Sequence, residues 1–318
     1  METITIKDAY KNDLNISRII FGGSNSKFLS GEIKDEFLLS CLEHGVNTFD
    51  SARLYGNGKS EEKIGSFLSK NNVSRDKVTI ITKCCHPKFG IFKCVNKKTA
   101  FKEIEESLKA LNISYVDVLF LHRDDETVPA YKIITFMNEI IRKGYTRSIG
   151  VSNWSVKRIK EANDYALSHN LVPFSLSEVQ FSLGKRIKDP WHNHSVSITG
   201  DNDSIKFYTE NNIPVLCYSS LADGFFAKYR DVKTIKKELS FYSKQAYLSK
   251  FNLEVLNRAN EIAIKKNVSL ATIALSYCLS QQFKSCCITS VSSEQRLLDN
   301  LKALDIKLNQ EELDYLNF

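Results

Sequence analysis

Glycine and proline are scarce in the 318-residue sequence, at 13 and 5 residues, which excludes collagen-like and low-complexity disordered readings. No apolar run approaches the ~18 residues needed to span a bilayer. The stretch from Met1 to Tyr10 carries Glu2 and Asp8 and lacks an apolar core, so neither a leader peptide nor a membrane partner is expected. The eight cysteines, Cys41, Cys84, Cys85, Cys94, Cys217, Cys278, Cys286 and Cys287, contain no Cys-x-x-Cys spacing, and a zinc framework is not expected. They sit mostly in apolar runs such as Val215-Leu216-Cys217 and read as buried, reduced thiols. Basic residues exceed acidic ones by 44 to 37, spread along the chain; nucleic acid is not implied, while an anionic small ligand is permitted. The lack of long heptads excludes a coiled-coil route to assembly and otherwise leaves the oligomeric state open. What is present is ordinary for a cytoplasmic protein with a large core: 42% apolar and 25% charged residues.

The informative pattern is an alternation. Short β-rich runs are expected at Arg18 to Gly22, Thr48 to Asp50, Val78 to Lys83, Val116 to Leu121, Ser148 to Val151, Leu176 to Gln180, Val215 to Tyr218 and Cys286 to Thr289. Between them apolar residues recur at helical spacing near Asp35 to His44, Gly58 to Lys70, Lys97 to Leu111, Val128 to Lys143, Ser155 to Ser168, Asp203 to Asn211, Glu254 to Lys266 with Leu270 to Gln281, and Ser293 to Ala303. Strands that alternate with helices pair in parallel through right-handed crossovers, and eight such units predict an α/β (β/α)8 barrel occupying residues 1–318 as one domain. A doubly wound sheet would show Gly-x-Gly-x-x-Gly after its first strand, where this chain has Gly22-Gly23-Ser24-Asn25-Ser26-Lys27. The connections Ser182 to Gly200 and Ser219 to Phe251, after the sixth and seventh strands, are long enough to serve as a substrate wall and a lid.

Four ionisable side chains stand at or just beyond strand ends: Asp50 closes the second strand, Tyr55 follows in its loop, Lys83 closes the third and His122 closes the fourth. A phenol that exchanges a proton near neutrality needs a cation beside it, since it ionises near pH ~10 in water. Lys83 supplies that charge, Asp50 holds Lys83, and His122 can hydrogen-bond a carbonyl oxygen or relay a proton. The set suits moving one proton at an oxygen.

At these residues the chain resembles the aldo-keto reductase superfamily. Phe49-Asp50-Ser51-Ala52-Arg53-Leu54-Tyr55-Gly56-Asn57-Gly58, continuing to Ser60-Glu61 and Gly65, is similar to that family's first signature. Ile81-Thr82-Lys83, Leu119-Phe120-Leu121-His122, Gly150-Val151-Ser152-Asn153-Trp154, Glu178-Val179-Gln180 and Tyr218-Ser219-Ser220-Leu221 with Gly224 follow in family order, from about Ile16 to Leu304. The resemblance implies hydride transfer from a reduced nicotinamide to a small-molecule carbonyl, with Tyr55 as proton donor. It implies that Ser152, Asn153 and Gln180 hold the nicotinamide carboxamide, that Tyr218 stacks on the ring, and that the backbone at Ser219, Leu221 and Gly224 follows the pyrophosphate. The adenosine end would meet Ser290, Ser292, Arg296, Asp299 and Asn300. Arg296 favours NADPH (NADP+) through a 2′-phosphate, although Thr289 and Ser290 replace the family's usual Pro-Gly or Pro-Lys, and NADH stays possible.

Other residues carry weaker signals. Trp191 and Phe28 are candidate apolar walls for substrate. His192 and His194 form a His-x-His without a third ligand, and no metal is expected. Arg123 and Asp124 fit a rim salt bridge as well as a substrate contact, and Phe225 and Phe226 fit packing beneath the lid. The same residues would also run the reaction backwards on a polyol or sugar alcohol. Potassium-channel β subunits resemble this family too, so a cofactor-sensing regulatory subunit is the alternative of a different class.

Overall fold

The computed structural model describes residues 2–87, 92–189, 195–227, 235 and 237–317. It opens with a hairpin that the alternation above does not include: β1 (Thr3–Lys7) and β2 (Asp13–Ser17) pair antiparallel, Thr3 opposite Ser17 and Lys7 opposite Asp13. Ile4 on one face is buried while Thr3 and Thr5 on the other are exposed, the period-two signature of a half-buried strand. The Asp8 carboxylate accepts from the backbone N–H of Tyr10 and Asn12, at 2.9 and 2.8 Å, and closes the turn.

Eight parallel strands follow: β3 (Ile19–Gly22), β4 (Thr48–Asp50), β5 (Thr79–Cys84), β6 (Val116–Leu121), β7 (Thr146–Ser152), β8 (Leu176–Gln180), β9 (Val215–Tyr218) and β10 (Ser285–Thr289). Their order is that of a closed barrel, β10-β3-β4-β5-β6-β7-β8-β9, as the alternation predicts, with bounds within two residues of those expected. Every residue of β5, β6 and β8 is buried, so neither face of these strands is left to solvent and none shows a buried–exposed alternation. Asp50 is paired with Ile81, and Lys83 with Phe120. Thr79 Oγ1 donates to the Asn15 carbonyl at 2.8 Å and Ser17 N to Thr48 Oγ1 at 3.0 Å. The hairpin therefore covers the start of β4 and β5, the end remote from Asp50 and Lys83.

The helices are α1 (Ser26–Ser30), α2 (Asp35–Glu43), α3 (Lys59–Lys70), α4 (Lys97–Leu111), α5 (Ala130–Arg142), α6 (Val156–Ser168), α7 (Asn202–Glu210), α8 (Phe241–Tyr247), α9 (Lys250–Lys266), α10 (Leu270–Leu279), α11 (Glu294–Leu301) and α12 (Gln310–Asn317). Side-chain N-caps explain several starts: Asn96 accepts from Thr99 N, Ser155 from Arg158 N and Ser249 from Asn252 N. The Ser249 cap starts α9 four residues ahead of the expected Glu254, and α1, α8 and α12 are helices the periodicity does not reveal. Asparagine shares the left-handed positions with glycine. Among the described residues twelve non-glycine positions have positive φ and seven of them are asparagine, at 57, 72, 112, 153, 170, 212 and 267, the residue that best tolerates the left-handed region after glycine.

By its internal packing the chain divides into residues 1–178 with 290–292, and residues 179–289 with 293–318. In the first, Gly65 lets α3 lie against the end of α4, since a Cβ there would meet the Leu111 carbonyl oxygen at 2.4 Å. In the second, α10 is buried over eight of its ten residues, Thr272 to Leu279. Among the described residues no single helix is long and apolar enough to cross a membrane; α9 with α10 would be only as a pair, and the two are bent by 101°.

Candidate active site

Asp50 is the last residue of β4, and the chain then crosses to β5, Ser51 N donating to the Ile81 carbonyl at 2.9 Å. Tyr55 follows in a tight reversal in which Gly56, Asn57 and Gly58 take φ of 61, 56 and 91°, a left-handed run that only glycine and asparagine enter at low cost. Lys83 is the penultimate residue of β5. His122 follows β6, its N–H on the Cys84 carbonyl at 2.8 Å. The lysine is the centre of the group: Nζ lies 2.5 Å from Asp50 Oδ1, 3.1 Å from the Ser51 carbonyl, 3.2 Å from Tyr55 Oη and 3.3 Å from Glu178 Oε2. The Tyr55 and His122 rings meet edge-on with centroids 5.8 Å apart. All four residues expected to carry the chemistry are thus brought together.

Burial sets the electrostatics. Lys83 is 1% exposed, yet Asp50, Glu178 and Tyr55 hold it protonated well beyond the ordinary lysine range. Burial raises the Asp50 carboxyl, with Lys83 opposing. Glu178 is pushed up to about 8 by burial, again against Lys83. Burial, with Asp50 and Glu178 adding to it, raises the Tyr55 phenol, while Lys83 acts in the expected direction and pulls it down. Burial and the cations Arg123 and Lys83 drop His122 well below the ordinary histidine value, so its ring is neutral.

The remaining predicted residues divide by segment. Ser152 ends β7, and Asn153, at φ 60°, donates from Nδ2 to Ser152 Oγ at 2.8 Å and from its backbone to the Glu178 carbonyl at 2.9 Å. Gln180 ends β8, where Nε2 donates to Ser182 Oγ at 2.9 Å and Oε1 accepts from Ser197. Tyr218 ends β9 half-buried, and Leu221 is half-buried in the turn that follows. Around it Ser219, Ala222, Asp223 and Gly224 have φ of 49, 49, 52 and 88°, and Ser219 Oγ donates to Asp223 Oδ1 at 2.6 Å. The Ser290 carbonyl accepts from Asn25 Nδ2 at 3.0 Å, and Ser292 is half-buried. On α11, Arg296 is exposed with no ion pair among the described residues. Asp299 pairs with Lys302 at 3.2 Å, while Asn300 is 3% exposed with Nδ2 lacking a partner. Phe28, the candidate substrate wall, lies in α1, 2% exposed and edge-on to Phe21 with centroids 5.1 Å apart. Trp191, with His192 and His194, lies outside the described residues.

Sequence reasoning missed Glu178 as a member of the site. Its signal was present, because an ionisable residue two before Gln180 on the same strand shares that residue's face. It also missed His86, whose ring stands 4.7 Å from that of His122. Arg123, named from the sequence, is buried, donates to the His122 carbonyl at 2.8 Å and leaves Nε without a partner. Asp124 is settled as a salt bridge, accepting from Arg158 Nε and Nη2 at 3.0 and 3.1 Å. Part of the first signature is scaffold: the fully buried Glu61 accepts from Thr82 Oγ1 at 2.6 Å and Arg53 Nη1 at 2.9 Å.

The profile of the Aldo/keto reductase family matches residues 18–317. The chain belongs to that family. This aldo-keto reductase is 29% identical over 309 residues to an Arabidopsis thaliana protein named "Probable voltage-gated potassium channel subunit beta", covering 94% of this chain and 91% of that one. It is 26% identical to an aldo-keto reductase of Alternaria alternata, over 88% of this chain and 80% of the relative. Among solved structures, a thermostable aldo-keto reductase crystallised with the inhibitor epalrestat superposes with a TM-score of 0.72 at 22% identity, covering 99% and 98% of the two chains; this likeness shows the (β/α)8 fold. Membership makes the protein an NAD(P)H-dependent oxidoreductase acting on carbonyl groups.

Proposed function

We propose that the protein uses NADPH to reduce an aldehyde or ketone, sugar-like keto compounds included, to the alcohol, with Tyr55 as the proton donor. The observation that carries this reading is a half-buried phenol whose hydroxyl stands 3.2 Å from a fully buried ammonium. A bound reduced nicotinamide supplies the hydride. Tyr55 Oη gives its proton to the carbonyl oxygen, and Lys83 stabilises the phenolate left behind. Asp50 anchors Lys83 at 2.5 Å. A neutral His122 is a poor proton store and a good hydrogen-bond partner, so its task is to orient and polarise the substrate oxygen.

For the cofactor, the reading takes Ser152, Asn153 and Gln180 at the carboxamide, Tyr218 at the ring and the Ser219, Leu221 and Gly224 backbone at the pyrophosphate. Ser290, Ser292, Arg296, Asp299 and Asn300 take the adenosine end. Three features favour the fit. The left-handed residues after β9 are of the kind that turns backbone amides toward an anion, Arg296 is an uncommitted cation, and Asn300 has a buried donor to satisfy. NADH would use all but Arg296.

The test is NADPH binding by fluorescence quenching, followed by loss of nicotinamide absorbance with a panel of aldehydes, ketones and keto sugars. Tyr55→Phe should lower turnover by about 10²- to 10⁴-fold with NADPH affinity retained; near-normal turnover would remove Tyr55 as donor. A second reading, a cofactor-sensing regulatory subunit, is favoured by the similarity to the Arabidopsis thaliana channel-subunit protein. It would show as tight NADPH binding without turnover across the panel. Oxidation of a polyol or sugar alcohol with NADP+ is the same chemistry in reverse.

A further inference from the structure

We infer that Glu178 is a positioning residue that sets the proton-donating strength of Tyr55 through Lys83. As the neutral acid it leaves the ammonium to Asp50 and Tyr55; on ionising it competes for that ammonium and adds a second negative charge to the cluster, which weakens Tyr55 as an acid. The inference rests on Tyr55 being the donor, as proposed above, and adds the group that controls it.

An ammonium has three protons to donate, and the Lys83 ammonium has three acceptors within 3.2 Å: Asp50 Oδ1, the Ser51 carbonyl and Tyr55 Oη. Glu178 Oε2, at 3.3 Å, is a fourth neighbour and makes no hydrogen bond. A buried carboxylate oxygen without a hydrogen bond costs more than the same group as the neutral acid. Charge counting agrees. Lys83 and Asp50 balance each other, so an ionised Glu178, its side chain 3% exposed, leaves these three groups one negative charge in excess, opposed by Arg123. The charged and titratable groups facing it are Lys83 from β5, Asp50 from β4, Tyr55 from the turn and Arg123 beyond β6. β7 offers only the uncharged Ser152, opposite in register, and the Asn153 N–H on the Glu178 carbonyl. The upward displacement of Glu178 to about 8 is in accord with this.

The test uses the full-length protein and its Glu178→Gln variant, in two measurements. Infrared titration from about pH 6 to pH 10, an interval spanning the ordinary range of a strongly raised carboxyl, follows the carboxylic-acid C=O stretch. The wild type should lose one such band around the value of about 8, and the variant should lack that band. Ultraviolet titration of the Tyr55 phenolate, identified as the absorbance missing in Tyr55→Phe, should have its midpoint at lower pH in Glu178→Gln than in the wild type. Where a carbonyl substrate turns over, wild-type reduction should fall about tenfold one pH unit above the Glu178 midpoint, as for any single ionisation, with the variant flat there. A band present in both proteins, or equal phenolate midpoints, overturns the inference. If no carbonyl is reduced, the proposed function fails, while the two spectroscopic titrations still decide the role of Glu178. Should Glu178→Gln not fold, Glu178→Asp serves in its place: its shorter side chain should move both midpoints, and unmoved midpoints overturn the inference.

Discussion

Replacing Lys83 with methionine removes one charge and leaves two buried carboxyls without their cation. Asp50 is 2% exposed and has Lys83 as its salt-bridge partner; without it Asp50 stays folded only as the neutral acid. An aspartate that ionises near ~3.9 when unfolded and stays neutral when folded lowers stability by about 1.4 kcal/mol per pH unit above that value. The deficit is then about 1.5 kcal/mol at about pH 5 and about 4 kcal/mol at about pH 7, the latter within the ~3–5 kcal/mol found when one member of a buried pair is deleted. The sign follows from proton binding: a group whose folded pKa is raised holds more protons folded than unfolded, so its contribution is intact below the unfolded pKa and is lost as pH rises. At about 2 °C per kcal/mol for a chain of this size, Lys83→Met should melt about 3 °C below wild type at the lower pH and about 8 °C below it at the higher. Thermal unfolding followed by circular dichroism at both pH values checks this. Equal deficits at the two pH values would refute the reasoning, as would persistence of the pH dependence when Asp50→Asn is added to the same background.

Two further outcomes rest on other parts of the molecule. Arg296→Ala should raise the Kd for NADPH by about 10- to 150-fold, the range for a hydrogen bond to a charged group, and leave the Kd for NADH nearly unchanged; parallel isotherms would move the 2′-phosphate elsewhere. Gly65→Ala sets a methyl against the Leu111 backbone, 2.4 Å from its carbonyl oxygen, so α3 and α4 must separate at a cost of about 1–3 kcal/mol. A melting temperature equal to wild type in differential scanning calorimetry would mean that the helices part freely.

Much of the site was legible because barrel strands are buried on both faces and read as apolar runs. An ionisable residue ending such a run, as Asp50, Lys83 and His122 do, marks both the strand end and the chemistry. Turns were harder to read. Asparagine does here what glycine does elsewhere, at Asn112 and Asn267 after α4 and α9, and asparagine is also common where φ is negative, so it punctuates weakly. The β1–β2 hairpin went unread despite the Thr-Ile alternation of Thr3 to Lys7, because a two-stranded element gains its stability only from what it packs on.

The sequence by itself determined the order of strands and helices, the (β/α)8 class, and the four side chains whose types and positions belong to proton transfer at an oxygen. These follow from local periodicity and residue chemistry, which need no knowledge of distant neighbours. Only the tertiary structure decided that Phe28 is buried against Phe21, that Asp124 belongs to Arg158, that Glu178 joins Asp50 on Lys83, and that burial raises Tyr55 against the pull of Lys83. Each of these depends on which groups from remote segments come within a few ångströms and on how far water is excluded between them. Desolvation and Coulomb forces act through space, and folding alone brings those groups together.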